Sequence, residues 1–297
     1  MVRIKYHQLT IFLFVIYIIS MTAFMIWEGI GIAPDRYVFG LLLGSLLVRR
    51  TRAFLLDWIP FLFILLAYDF LRGLVGNVVS RAHVVELINL ERWLFGGQIP
   101  TLWLQARLYT PGQIHWYDFI ATIFYFLHFA LPLGFGFLLW LDNRSRFRQF
   151  VLALLLLSYG GWITYVVYPA TPPWLASKEG YLPEVHKILD QSLSIFPDKF
   201  NLPTIYHNFD PNPVAAMPSM HAAYPLLVFL FALQFFGLRA LLFLPYVLGV
   251  WFSVVYLGEH YVIDVIGGIL YASVFFMITK LGYKKFASVS KSWTKQP

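Results

Sequence analysis

The chain contains no cysteine. That excludes disulfides, thiolate metal sites and a cysteine nucleophile, and leaves the redox compartment open. Charge is scarce as well: Asp, Glu, Lys and Arg make up 12% of the 297 residues, where a soluble domain carries roughly 25%. The alternating ten-residue segments of a membrane barrel are missing, so the apolar runs read as helices. No small-x-small cleavage site follows Leu9–Trp27, although basic residues precede it; this stretch is expected to be a retained anchor, not a signal peptide. There is no internal repeat, and the short basic tail is the one biased tract.

What remains is a chain built for lipid, 59% hydrophobic. Eight stretches approach the roughly 20 apolar residues a bilayer crossing needs: Leu9–Trp27, Tyr37–Val48, Ala53–Val75, Tyr117–Trp140, Phe150–Tyr168, Pro218–Phe236, Ala240–Tyr256 and His260–Lys280. The second is short, and the seventh and eighth nearly touch. The expected fold is an all-α integral membrane protein of about eight transmembrane helices. Alternating these spans puts Arg3, Lys5, Arg49, Arg50, Arg52, Arg144, Arg146, Arg148, Arg239 and the tail lysines on one side. The short opposite connection, 28–36, carries Arg36 alone. By the positive-inside bias both termini are expected in the cytoplasm, with a plasma membrane the simplest host. The net charge of +7 is then explained by basic residues at the membrane surface, without nucleic acid as a partner.

Four regions follow: amino-terminal transmembrane helices (1–75), an outer interfacial segment (76–116), a transmembrane core (117–280) with an outer loop (169–217), and a basic cytoplasmic tail (281–297). In the interfacial segment, VVELINLERWLFGGQIPTLWLQARLY mixes Trp, Leu and spaced charges. It suits helices lying at the interface, broken at Gly96, Gly97 and Pro100. It can serve as a stabilising cover or as a substrate gate, and the cover is the simpler reading. The outer loop is rich in Pro, Asn and Asp and reads as an irregular cap.

Two polar clusters stand out against this background. In GEHYVIDVIGG (258–268), His260 and Asp264 are four apart, which on a helix stacks them on one face. A carboxylate there can hold an imidazole in one tautomer and stabilise its cation; alternatively the pair ties two helices together in lipid. The second cluster is AAMPSMHAAYP. Pro218 suits the first turn of a helix, whose free N–H groups make an anion site, and Ser219 and His221 add a hydroxyl and a proton donor. Alternation brings both clusters to the outer level. His260, oriented by Asp264, can attack phosphorus in line. His221 can protonate the departing alkoxide and then deprotonate the acceptor. Helix N–H groups and Ser219 can hold charge on the non-bridging oxygens. Such a step requires no metal and no cofactor; His260 and Asp264 look like base and orienter, not a closed ligand set.

These residues also carry a resemblance. PSMHAAYP is similar to the P-S-x-H-x-x-x-P element, and EHYVIDVIGG to the H-x-x-x-D element, of the lipid phosphate phosphatase (type 2 phosphatidic acid phosphatase) superfamily. The resemblance implies a six-helix core, here the last six spans, and metal-independent phosphoryl transfer, with His260 as nucleophile, Asp264 as its partner and His221 as general acid. The chain departs from the pattern where the family places cations. Ser253-Val254 stands where Ser-Arg is expected, and Gly161 and Tyr168 occupy the Lys and Arg positions of the first motif. YPATPPW (168–174), YFLHFALP (125–132) and HYVIDVI resemble fungal inositol phosphorylceramide synthases, the last also sphingomyelin synthases. LERWLFGGQIPTLWLQ is similar to bacterial relatives of these enzymes. They act on phosphodiesters, whose single negative charge needs fewer cations.

Further candidates are weaker. His128, inside the fourth span, either bonds a neighbouring helix or lines the site. Arg72 either pairs with Asp69 or supplies the missing phosphate cation. Pro173 and Trp174 are expected at the site rim, and Tyr168 to donate to a phosphate oxygen or to anchor at the interface. Lys178, Lys187 and Lys199 read as solvated loop charges. The expected function is a membrane lipid phosphotransferase or phosphatase. It would take a phospholipid or lipid phosphate as donor and a lipid alcohol or water as acceptor. Two alternatives are an isoprenoid diphosphate phosphatase and a non-catalytic lipid transporter or scaffold.

Overall fold

The computed structural model describes residue 20 and residues 51–74, 80–194 and 212–293. Every regular element among them is helical. In chain order they are α1 (Thr51–Leu74), α2 (Val85–Leu94), α3 (Pro100–Leu108), α4 (Trp116–Asp142), α5 (Arg144–Val167), α6 (Pro173–Lys178), α7 (Ile188–Ser194), α8 (Met220–Phe236), α9 (Leu244–Tyr256) and α10 (Val262–Trp293). A 3-10 helix, Gly237–Phe243, joins α8 to α9. Among the described residues, four segments are long and apolar enough to cross a membrane: 116–142, 144–167, 220–256 and 262–283. The third of these folds as α8 and α9. Each of the six expected core stretches contains a helix, and the protein is an all-helical membrane protein. α10 runs on past the expected end at Lys280, to Trp293. The expected stretches 9–27 and 37–48 lie outside the described residues.

α8 is the central helix and packs on α4, α5, α9 and α10. Its buried face, from Ala223 through Leu227 and Phe231, joins an apolar cluster fed by Phe54, Trp58, Phe135, Leu139, Trp140, Phe147 and Phe150. One end of this cluster is closed by Asp57 of α1, which accepts from Trp140 Nε1 at 2.9 Å, Arg144 Nε at 2.5 Å and Arg148 at 3.0 Å. The turn between α4 and α5 is short because Asn143 caps α5 at once, accepting from Ser145 N and Arg146 N, as a side-chain oxygen at this position does.

At the opposite end α2 and α3 pack on the bundle. α2 stops at Leu94, and Gly96 and Gly97 take φ of +61° and +90°, a region costly for residues with a Cβ. α3 then starts on Pro100. α2 rests on α10 and α3 on α9.

α8 and α10 meet closely at Gly268. A Cβ there would lie 2.3 Å from the Ser219 carbonyl oxygen, which is backbone and cannot swing away. Gly268→Ala is therefore expected to destabilise the bundle by about 1–3 kcal/mol, the cost of overpacking. Gly282→Ala, whose methyl meets nothing within 4 Å, provides the control. Melting curves of both variants in detergent check this; equal curves would mean that α8 tolerates a shift there.

Candidate active site

The two histidine clusters converge. His221 sits in the first turn of α8 and His260 just before α10. Their facing nitrogens, His221 Nδ1 and His260 Nε2, are 3.0 Å apart. On the far side of its ring, His260 Nδ1 lies 3.5 Å from Asp264 Oδ2. This is an ion-pair distance, longer than an ordinary hydrogen bond; such catalytic contacts often tighten only around substrate. His260 and Asp264 are buried, at 4% and 0% exposure. With a proton on each Nδ1, His221 donates to His260, and the His260 Nδ1 proton lies on the side of the ring that faces Asp264.

The local route to this geometry differs from helical stacking. α10 begins at Val262, so His260 precedes the helix. Asp264 lies in the first turn and folds back over the helix start, where its Oδ2 also accepts from Tyr261 N at 2.8 Å. The four-residue spacing brings the pair together through the helix-capping turn. Glu259 N and His260 N both donate to the carbonyl of Val254, at 3.1 and 3.0 Å, and so fix the chain before the histidine. Gly258, with φ of +84°, makes the bend, and His186 O would lie 2.8 Å from any Cβ added there.

A cavity of about 60 Å³ opens beside the pair. Its lining includes Tyr68, Tyr125, His128, Tyr165 and Tyr224, together with Pro172, Trp174, Asn212 and Glu259. Among the described residues that line it there is no lysine or arginine. The ring of His128 contacts that of His221 with centroids 3.9 Å apart, and its Nδ1 contacts the Tyr125 carbonyl. Tyr125 in turn stacks on His221 at 4.4 Å. His128 lies 12 residues into α4, roughly 18 Å of helix rise from the start of that helix.

Other expected residues fall elsewhere. Ser219 is the N-cap of α8, and its hydroxyl accepts from Ala222 N at 3.2 Å; it does not line the cavity. Pro218 precedes that cap and is outside the first turn. Pro173 begins α6 and is buried, while its neighbours Pro172 and Trp174 reach the cavity. Tyr168 stacks on His83 at 4.0 Å and lines a separate cavity with Glu86, Leu90 and Tyr271. The side chains of Asp69 and Arg72, and the whole of Lys199, lie outside the described residues. Lys178 is exposed, but Lys187 is not the solvated charge expected. Its side chain is 11% exposed, 3.9 Å from Glu259 and 3.8 Å from Asp190, and its ammonium sits 4.4 Å from the Trp174 ring centre. Two of the motif positions that lack a cation also have structural explanations. A Cβ on Gly161 would meet Met220 at 2.9 Å, and Met220 itself lines the cavity. Val254 is fully buried.

Glu91 carries no functional signal in the sequence. It is fully buried and reaches from α2 to the start of α10, accepting from Val262 N at 3.0 Å and Ile263 N at 3.1 Å. An acidic cap suits the positive end of a helix. Burial, partly offset by those two N–H donors, pushes its pKa up to about 7. The folded state therefore holds this proton more tightly than the unfolded chain. The associated stability is full below about pH 4.5 and is lost as pH rises through about 7. Between pH 5 and 8 the wild-type melting temperature should fall relative to Glu91→Gln, which has no proton to lose. A difference that stays flat, or grows in favour of wild type, would contradict this.

The PAP2 superfamily profile matches residues 85–278. The chain is 30% identical over 250 residues to the phosphoinositol dihydroceramide synthase of Bacteroides thetaiotaomicron, covering 79% of each protein. It is 24% identical over 251 residues to the inositol phosphorylceramide synthase of Candida albicans, 80% of this chain and 50% of the relative. It is 24% identical over 199 residues to the inositol phosphorylceramide synthase catalytic subunit of Schizosaccharomyces pombe, 65% and 46%. The chain thus spans about half the length of these fungal relatives. No solved structure matches it. The matched region runs from the start of α2 into α10 and encloses both histidines and Asp264, so the chain belongs to the PAP2 superfamily and is a membrane enzyme.

Proposed function

We propose that the protein transfers a phospho-head group from a phosphodiester lipid to a lipid hydroxyl through a phosphohistidine at His260. The observation that carries this is the 3.0 Å approach of His221 Nδ1 to His260 Nε2, with Asp264 behind His260. In the first half-reaction Nε2 of His260 attacks phosphorus. The N–P bond forms as the bond from phosphorus to the diacylglycerol oxygen breaks, and His221 gives its Nδ1 proton to that oxygen. In the second half-reaction His221 takes the proton of the acceptor hydroxyl, whose oxygen attacks phosphorus and releases His260. As written, the step uses only groups of the chain. Reacting atoms in a near-attack geometry lie roughly 3–3.5 Å apart, so a phosphorus between the two nitrogens requires the rings to part.

The lack of Lys and Arg among the described lining residues favours a phosphodiester, with one negative charge, over a diphosphate or monoester. The relatives' names suggest a phosphoinositol lipid as donor and a ceramide-type alcohol as acceptor. Orientation belongs to the same proposal: the Arg144, Arg146 and Arg148 end of α5 would face the cytoplasm, leaving the histidines toward the outer face.

Purified protein in vesicles containing phosphatidylinositol and ceramide should make diacylglycerol and a phosphoinositol ceramide in equal amounts. Inositol phosphate as the sole phosphorus product would instead indicate hydrolysis, and no turnover of any lipid phosphate would leave the scaffold reading standing.

A further inference from the structure

The cavity lining contains polar groups that the transfer step does not use. Asn212 is 3% exposed. Its Oδ1 accepts from Val214 N at 3.1 Å, which fixes the amide orientation and turns Nδ2 away from that bond. Nδ2 has no hydrogen-bond partner among the described residues, although Asn212 lines the same cavity as His221 and His260. A buried donor left without an acceptor costs about 1–3 kcal/mol, so this amide is suited to meet an acceptor on a bound molecule. Glu259 is 6% exposed and lines the same cavity, adjacent in the chain to His260. Its carboxylate would repel a phosphate oxygen but accepts well from hydroxyls. An amide donor and a carboxylate acceptor together match hydroxyl groups, each of which both donates and accepts.

The aromatic lining and the carboxylate would by themselves also suit a quaternary ammonium. Lys187 changes that balance. Its ammonium lies 4.4 Å from the centre of the Trp174 ring and 3.9 Å from Glu259. A resident cation thus already lies on the Trp174 ring and within ion-pair distance of the carboxylate, and it repels a second positive charge.

We propose that Asn212, Glu259 and Lys187 form a head-group subsite that accepts an uncharged, polyhydroxylated head group and rejects an ammonium-bearing one. This rests on the head-group transfer reading above. Glu259 and Asn212 bind the hydroxyls, and Lys187 enforces selectivity by like-charge exclusion.

The test uses the full chain in vesicles with ceramide as acceptor and either phosphatidylinositol or phosphatidylcholine as donor. The readout is the ratio of the two transfer rates. Wild type should prefer the inositol-headed donor; a preference for the choline-headed one would overturn the subsite. Lys187→Gln should lower the ratio about tenfold, equivalent to about 1.4 kcal/mol, mainly by raising the rate with the choline-headed lipid. A gain of that kind cannot come from misfolding. Asn212→Asp, which keeps the acceptor for Val214 N and loses the donor, should lower the ratio by slowing the inositol-headed donor. If wild type transfers head groups and both variants keep its ratio within twofold, the subsite is overturned while the transfer reading survives. If wild type transfers neither head group, the transfer reading fails and the subsite falls with it.

Discussion

His260→Ala is expected to reduce head-group transfer by on the order of 10⁴-fold or more, because loss of a covalent nucleophile removes the intermediate itself. The side chain is buried, and its ring contacts His221. The melting temperature of the variant should be measured beside its rate, to separate lost chemistry from lost folding. A second readout follows the chemistry. Wild type quenched during turnover of a donor labelled at phosphorus should carry label on the protein, and His260→Ala should carry none. Turnover within tenfold of wild type, or label retained on the variant, would place the nucleophile elsewhere.

Asp264→Asn should produce the next largest loss, about 10³–10⁴-fold, by analogy with removal of the orienting carboxylate from hydrolytic triads. Asparagine keeps an oxygen for Tyr261 N, which Asp264 Oδ2 now accepts at 2.8 Å. The Asp264 carbonyl still receives Ser219 N at 3.0 Å. The join between α8 and α10 should thus survive while the charge that orients and stabilises the His260 ring is lost. The diagnostic is a large rate loss with little change in melting temperature. A variant that retains more than a tenth of wild-type turnover would show that His260 works without a carboxylate, and that Asp264 serves mainly as a helix cap.

The double use of Asp264 explains why part of the site is legible in the chain and part is not. Paired ionisable residues in an apolar run are costly in lipid and lean toward function, so His221, His260 and Asp264 stand out by their types and spacing. Their local structure does not. Four-residue spacing suggests helical stacking, whereas α10 starts two residues after His260 and the contact forms across a capping turn. Ser219 goes the other way. A hydroxyl beside PSMH looks catalytic; in the structure its oxygen caps α8, accepting from Ala222 N, and it lies outside the cavity lining. Glu91 and Lys187 carry no local signal. In sequence they are ordinary charges in an amphipathic helix and a polar loop, far from His260 along the chain.

Class of molecule and type of chemistry follow from the order of the residues alone. Long apolar runs with basic residues between them can satisfy backbone groups in lipid only as helices, and two histidines with a carboxylate are residue types able to pass a proton. What surrounds those three residues is set in three dimensions. Docking α2 on α10 buries Glu91 against the start of the helix that follows His260. Folding the 169–194 segment over the bundle sets Lys187 on Trp174 and against Glu259. These contacts join residues far apart in the chain, and their energies depend on burial and on the charges brought beside them, quantities that periodicity and spacing do not encode.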